Sequence, residues 1–117
     1  MEALERCFKG LADWNRLRIL NLLLGGELCG CDIQHVLGLS QPNVSRHLTY
    51  LKHAGLVRDR REGFRVFYRL CENPPSMRKG LFGFLRDAFR SHLVLRADRG
   101  RLKQAVRRGS CTASLGM

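Results

Sequence analysis

The polar and apolar positions of residues 40–56 predict a short helix with clear ends. Ser40 is a favourable N-cap, Pro42 falls in the first turn, where a missing N–H costs little, and Gly55 can adopt the left-handed conformation that ends a helix. A narrow apolar stripe with helical spacing runs along it, formed by Val44, Leu48 and Leu51. The remaining surface is polar and uncharged to basic. Such a surface is typical of an ordinary amphipathic helix and also of a helix that reads the major groove of DNA.

Three shorter helices are predicted before this one, over residues 2–11, 14–24 and 32–37. Asp13 is a suitable N-cap for the second of them. Gly38 lies in the tight connection between the third helix and the helix at 40–56. Two short helices joined by a turn that contains glycine, the second with a polar outer face, are typical of a helix-turn-helix. The side chains expected to contact DNA are therefore Gln41, Pro42, Asn43, Ser45, Arg46, His47 and Thr49.

After Gly55 the pattern changes from helical spacing to alternation. Residues 56–60 and 65–70 are predicted to be strands joined through 61–64, which makes an antiparallel hairpin. A basic hairpin alone is usually a solvated sheet edge, but directly after a recognition helix it is placed as a wing that reaches phosphates or the minor groove. The wing residues expected to contact DNA are Arg58, Arg60, Arg61 and Arg65.

The C-terminal part is predicted to begin with a break at Pro74-Pro75, followed by one long helix over 77–96. Apolar residues spread around this helix more widely than one small domain can cover, so part of it is expected to pack against a second copy in a homodimer. A basic helical stretch at 98–108 and a flexible tail at 109–117 follow. The predicted fold is mainly α: a winged helix-turn-helix with a two-stranded β-hairpin wing and a dimerising terminal helix, in a domain spanning residues 1–108.

Composition narrows the class of partner. The chain has 117 residues, enough for one domain, and no apolar run approaches the ~18 residues of a membrane span. Its N-terminus has acidic residues and no apolar signal segment, so a cytoplasmic protein with no membrane partner is expected. Lys and Arg exceed Asp and Glu by one in residues 1–57 but by ten in residues 58–117. That excess indicates a polyanion, most simply double-stranded operator DNA; an anionic membrane surface is the alternative, but no basic segment with bulky apolar anchors supports it strongly.

Four segments together resemble the ArsR–SmtB family of metal-sensing repressors. They read FKGLADWNRLRIL at 8–20, ELCGCDI at 27–33, LSQPNVSRHL at 39–48 and GFRVFYRL at 63–70. The resemblance implies a transcriptional regulator and no enzyme, acting as a homodimer that binds its operator when metal-free and leaves it when metal binds. Trp14 departs from the family pattern, which commonly has proline after the capping aspartate.

Cys29 and Cys31 are the candidate metal ligands, near the predicted start of the third helix. A soft ion prefers thiolates, and the positive end of a helix dipole favours the thiolate form. The resemblance implies more: in the arsenic-responsive branch, a Cys-x-Cys motif at this place binds trivalent arsenic or antimony. Side chains at i and i+2 of a regular helix point about 200° apart, so binding both is expected to unwind the first turn, which Gly30 makes easier. Through Gly38 the same distortion would move the recognition helix off the DNA groove.

The third arsenic ligand stays open at this stage. The best-known arsenic sites of the family have a third cysteine where this chain has Gln34. Cys111 could supply it from either chain of a dimer, and Cys7 could supply it across the dimer. Otherwise two thiolates suffice, completed by a small thiol or water, or because the inducer is a methylated arsenical. Cys7 and Cys71 otherwise read as buried packing residues.

Other functions are weighed against the same residues. Cys29 and Cys31 could be half-buried packing at a helix start. They could also form a thiol-based redox or persulfide sensor on the same DNA-binding fold. A thiol reductase is disfavoured, because no Cys-x-x-Cys lies beside a βαβ pattern. A zinc, nickel or cobalt site on the helix at 77–96 is also disfavoured, since that stretch offers only Asp87 and His92.

Overall fold

The structure, a computed structural model, describes residues 2–72 and 75–109, with the backbone alone at 75–77. Within that part of the chain, helices and short strands follow one another in the order expected of a winged helix-turn-helix. The elements are α1 (Ala3–Leu11), α2 (Trp14–Leu23), β1 (Leu28–Cys29), α3 (Gly30–Leu37), α4 (Gln41–His53), β2 (Val57–Glu62), β3 (Arg65–Leu70), α5 (Pro75–Phe89) and α6 (Leu93–Arg107). No helix in the described ranges is both long and apolar enough to cross a membrane.

The helix-turn-helix begins and ends where its capping residues predict. The Asp13 carboxylate accepts a hydrogen bond from the backbone N–H of Arg16 at 3.1 Å, and the Ser40 hydroxyl accepts one from the N–H of Asn43 at 3.3 Å. Gly38 ends α3 with φ of 67°, a left-handed conformation that glycine adopts without strain. The apolar stripe of α4 is buried, which confirms the orientation predicted for that helix.

The wing is a hairpin with an additional short strand. Strands β2 and β3 pair antiparallel from Val57↔Leu70 to Glu62↔Arg65, so the turn is only Gly63-Phe64 rather than the predicted 61–64. The two residues of β1 pair with the other edge of β3, in the order β1-β3-β2. Sequence reasoning missed β1, because two residues are too few to show alternation.

The prediction of one helix over 77–96 is wrong. Helix α5 ends at Phe89, and a new helix begins at Leu93 with His92 as its extended N-cap residue. The backbone N–H of His92 donates to the carbonyl of Phe89 at 3.2 Å, which closes the turn between them. The turn lets α6 pack on α2, where the Asn21 side chain donates to the carbonyl of Leu95 at 2.9 Å. The basic stretch predicted at 98–108 is thus the continuation of α6.

A buried carboxylate fastens α6 to the rest of the domain. Asp98 is 0% exposed, and it accepts hydrogen bonds from Arg18 Nε at 2.9 Å and Arg18 Nη2 at 3.0 Å. Arg101, one turn further along α6, also donates to Asp98 and uses its Nε to donate to the carbonyl of Val36 at 3.1 Å. Burial of a charge is tolerated only when it is paired and hydrogen-bonded. These contacts hold α6 against α2 and α3 together.

Candidate metal centre and nucleic-acid interface

The outer face of α4 presents most of the predicted DNA-contact side chains to solvent. Gln41, Pro42, Ser45, Arg46 and Thr49 are exposed along it, and Asn43 is half-buried with its side-chain oxygen accepting from Arg46. Amide, hydroxyl and guanidinium groups of this kind are the donors and acceptors that read base edges in the major groove. The arrangement therefore fits a recognition helix.

His47 lies elsewhere. Its side chain is only 12% exposed, and its Nδ1 is 3.9 Å from the Asp13 carboxylate that caps α2. This position is on the inner flank of α4, at the contact with α2, and it gives no support to the predicted DNA contact of His47. The helical phase alone did not distinguish the flank from the outer face.

The two faces of the wing hold its arginines differently. Asp59 and Arg61 share one face, because alternate residues of a strand point the same way, and Asp59 binds Lys52 of α4 at 3.0 Å. Arg60 is on the opposite face, where it donates to Glu27 and Glu62, each at 2.8 Å, and lies 4.7 Å from the ring centroid of Phe67. The hydrogen bonds from Glu27 and then Glu62 raise the pKa of Arg60 above its usual value. Arg60 is thus engaged by carboxylates of its own chain, whereas Arg61 extends along the α4 side of the wing.

This difference predicts unequal contributions to DNA affinity. Arg61→Ala should weaken binding to DNA of any sequence and reduce the slope of log affinity against log salt by about 1, as expected for one lost phosphate contact. Arg60→Ala, its matched control, should change that slope little, because two carboxylates already neutralise the guanidinium. Fluorescence anisotropy of a labelled duplex at several salt concentrations measures both slopes. Equal slopes for the two variants would contradict the assignment of faces.

The two candidate thiols already lie together. Cys29 is the last residue of β1 and the N-cap of α3, with extended backbone at φ −68° and ψ 141°, and Cys31 is in the first turn. Their Sγ atoms are 2.9 Å apart, within a hydrogen bond that either thiol can donate. Cys29 is buried and Cys31 is exposed. The expectation that binding both must unwind the helix is wrong, because pairing of Cys29 with Phe67 of β3 holds Cys29 outside the helix.

Gly30 has a packing role in this arrangement. A Cβ placed there would lie 3.1 Å from Cε2 of Tyr68, closer than ordinary van der Waals contact. The missing side chain therefore lets the Tyr68 ring approach the backbone between the two cysteines. Burial raises the pKa of the Tyr68 phenol above its usual value, with the charge of Asp59 adding to the effect. The ring beside the thiols is accordingly a neutral surface.

A cavity of about 240 Å³ opens from the cysteine pair toward the DNA-contact surface. Its walls come from three elements: the start of α3, the inner side of α4 and the tip of the wing. The lining residues are Cys29, Gly30, Cys31, Gln34, Gln41, Val44, Ser45, Leu48, Phe64, Arg65, Val66 and Tyr68. Predicted metal ligands and predicted DNA contacts thus line the same space. Sequence reasoning placed both sets on neighbouring elements but did not find Val66 or Tyr68, whose alternation signals only a strand.

The further predicted ligands are not gathered at this pair. Cys7 is 4% exposed in the core, and its sulfur accepts a hydrogen bond from Arg78 Nη1 at 3.0 Å. Cys111 lies outside the described residues. Among residues 2–72 and 75–109, no group of three His, Cys, Asp or Glu side chains is placed to hold a metal ion. A second cavity, of about 490 Å³, lies between α3 and α6 on another side of Cys31 and reaches Gly109.

Comparison with known proteins identifies what this arrangement resembles. The profile described as "Bacterial regulatory protein, arsR family" matches residues 13–59. Over 70 residues, 59% of this chain, the sequence is 50% identical to the arsenic resistance transcriptional regulator ArsR1 of Pseudomonas putida, covering 55% of it. Over 70 residues it is also 50% identical to the arsenical resistance operon repressor of Escherichia coli, covering 60% of it. The chain therefore spans little more than half the length of these curated relatives.

A solved structure extends the likeness to the fold. It is the homodimeric winged helix-turn-helix DNA-binding domain of a possible ArsR-family transcriptional regulator from Mycobacterium bovis. The TM-score is 0.66 and the identity 35%, over 78% of this chain and 82% of that one. At this identity and coverage the likeness includes both sequence and architecture.

Proposed function

Because the chain belongs to the ArsR family of bacterial regulatory proteins, we propose that it represses transcription. It binds double-stranded operator DNA as a homodimer and releases it when trivalent arsenic or antimony binds Cys29 and Cys31. The arsenic resistance roles named for two relatives support this choice of inducer. As a regulator of bacterial genes it acts in the cytoplasm, and it catalyses no reaction.

The single observation that carries the proposal is the shared cavity. Cys29 and Cys31 line it together with Gln41 and Ser45 of the recognition helix and Arg65 of the wing. An inducer held by the two sulfurs occupies the space that separates these DNA-contact residues, so it changes the distance between recognition helix and wing. Ligand and DNA then favour different geometries of the same few residues. By linkage, each lowers the affinity for the other by the same factor.

The chemistry of the pair fits a soft, thiophilic ion. Thiolates are the ligands such an ion prefers, and the sulfurs at 2.9 Å need only a small separation to bind one ion together. Cys31 lies in the first turn of α3, where the helix dipole favours a negative charge. Its exposure gives the inducer an entry path, while Cys29 provides a buried second ligand.

A third thiolate for arsenite is proposed to come from Cys111. Gly109 lines the α3–α6 cavity together with Cys31. The covalent chain keeps the Cα of residue 111 within about 7 Å of the Cα of Gly109, so its thiol can reach Cys31. Cys7 of the partner chain is the alternative, but its burial against Arg78 favours the interpretation of Cys7 as a core residue.

Exposed apolar side chains support the homodimer. Leu4 and Phe8 of α1 are 51% and 60% exposed, and Phe84 of α5 is 67% exposed. The Cys7–Arg78 hydrogen bond shows that α1 and α5 are neighbours. Large exposed apolar side chains on adjacent helices are typical of a surface that pairs with a second copy.

Release of DNA from the wild-type protein tests the proposal. The probe is a labelled duplex recovered by repeated selection of bound fragments from a random-sequence library. Arsenite and antimonite should release it at lower concentrations than zinc or cadmium does, as measured by fluorescence anisotropy. If arsenite leaves the complex intact while other thiophilic ions dissolve it, the assignment of the inducer is wrong.

The 2.9 Å separation of the sulfurs favours a second candidate function, a thiol-based redox or persulfide sensor of the same fold. Two adjacent thiols can close a disulfide, with hydrogen peroxide accepting the two electrons and leaving as water. In that case peroxide or a persulfide should release the selected duplex under conditions in which arsenite does not.

A further inference from the structure

The site pairs two thiols with an apolar wall. Beyond the sulfurs, the cavity is bounded by Val44, Leu48, Phe64, Val66 and Tyr68, on α4 and the wing. The polar lining residues Gln41, Ser45 and Arg65 are from the same two elements and belong to the DNA-contact set. An inorganic ion would use the sulfurs and leave the apolar wall without a function.

We propose that the preferred inducer is a mono-organyl trivalent arsenical, whose arsenic binds Cys29 and Cys31 and whose carbon substituent occupies this cavity. The inference rests on the proposed function and names the class of arsenical. A methyl or phenyl group on arsenic is the substituent that the cavity accepts. Arsenite is the weaker inducer because it uses only part of the site.

The number of exchangeable ligands matches the number of thiols at the cavity. An organyl arsenous acid, R–As(OH)₂, condenses with two thiols to give R–As(S–Cys)₂ and two molecules of water. Two As–O and two S–H bonds break, two As–S bonds form, and the As–C bond and the oxidation state of arsenic are unchanged. Arsenite retains one As–OH group after the same condensation, so it needs a third thiol.

The size of the cavity admits the substituent. An engineered apolar cavity of about 150 Å³ holds a benzene ring, and the cavity beside Cys29 and Cys31 measures about 240 Å³. The neutral Tyr68 phenol borders it, so the wall beside the sulfurs does not favour a charged group. A phenyl group is therefore accommodated, and a methyl group fits with space left over.

The third thiol is offered from a different direction. Gly109 reaches Cys31 through the α3–α6 cavity, whose lining includes Cys31 but not Cys29 or the apolar residues of the wing. Cys111 can thus complete a site for arsenite without filling the cavity that both cysteines line. Its loss should affect arsenite and spare the organyl arsenicals.

The inducer concentrations for half-release of the selected duplex test the inference. In the wild-type protein, methylarsonous acid and phenylarsine oxide should act at concentrations about 10-fold or more below that of arsenite, the discrimination expected from one buried apolar group. Cys111→Ser should raise the arsenite concentration at least about 10-fold, since a ligand is lost, and leave the phenylarsine oxide concentration unchanged. Ultraviolet titration without DNA should count two thiolates per phenylarsenic in both proteins.

Filling the cavity gives the second arm. Val66 is half-buried on β3, where aromatic residues are favoured, so Val66→Phe should fold normally. It should raise the phenylarsine oxide concentration at least about 10-fold and leave that of arsenite unchanged. Leu70→Phe is the matched control, because Leu70 is half-buried on the same strand and does not line the cavity. It should change neither concentration.

The outcomes separate the two claims. If arsenite acts at the same or a lower concentration than both organyl arsenicals, or if Val66→Phe affects arsenite equally, the inference is overturned and the proposed function stands. If none of the three arsenicals releases the duplex, the proposed function itself is overturned. Discrimination in favour of the organyl arsenicals that Val66→Phe removes would support both.

Discussion

Replacing Cys29 by serine is expected to leave affinity for operator DNA unchanged and to raise the arsenical concentration for half-release at least about 100-fold. Loss of a residue that only supports a metal ligand already costs about 10- to 100-fold in metal affinity, and Cys29 is itself a ligand in the proposed site. A serine hydroxyl is neutral at physiological pH and is a poor ligand for a soft ion. Anisotropy of the labelled operator duplex measures both quantities on the same samples.

The fold should tolerate this change. Position 29 is the N-cap of α3, where serine is among the preferred residues. Cys71→Ser is the matched control, because Cys71 is also buried but lies away from the cavity. It should retain release by arsenicals. Full release from the Cys29→Ser protein would mean that the inducer binds elsewhere on the chain.

Replacing Asp98 by alanine is expected to lower the free energy of unfolding by about 3–5 kcal/mol, the usual cost of removing one partner of a buried ion pair. Asp98 is fully buried and accepts from both Arg18 and Arg101. Without it the Arg18 guanidinium, whose side chain is 16% exposed, loses its carboxylate in a poorly solvated position. Asp98→Asn keeps the shape and should lose part of this amount.

Urea denaturation followed by circular dichroism measures the loss, at one fixed protein concentration because dimerisation adds to stability. Asp87→Ala is the control. Asp87 also pairs with an arginine one turn away, Arg90 at 3.2 Å, but both side chains are 75% exposed. Its removal should cost less than about 1 kcal/mol. Similar losses for the two variants would contradict the importance assigned to burial at Asp98.

The parts of the fold that the sequence predicted correctly depend on local signals. Ser40, Asp13 and Gly38 specify helix ends through side chains or backbone conformations within a few residues, and the alternation after Gly55 depends only on the strand itself. The division between α5 and α6 has no such signal, since residues 90–92 contain neither glycine nor proline. It is set by long-range packing of Leu95 and Asp98 on α2, which periodicity does not reveal.

The candidate site shows the same limit. The identity of Cys29 and Cys31 could be predicted from their motif, but their geometry could not. Helical phase separates the two side chains, whereas the structure brings the sulfurs together because β3, some 40 residues further along, pairs with Cys29. Arg60 is a second case: its sequence neighbours indicate a phosphate contact, and Glu27 on a distant turn engages it instead.

The contact between Arg101 and the carbonyl of Val36 has a consequence for the direction of the response. It supports α3 from the side opposite the recognition helix, and Asp98 fixes Arg101 in turn. An inducer that forces the two sulfurs apart therefore pushes against a rigid backing on one side and against a two-residue hairpin tip on the other. The displacement goes to the compliant side, so the wing yields first and α6 acts as the anvil against which binding is converted into loss of DNA.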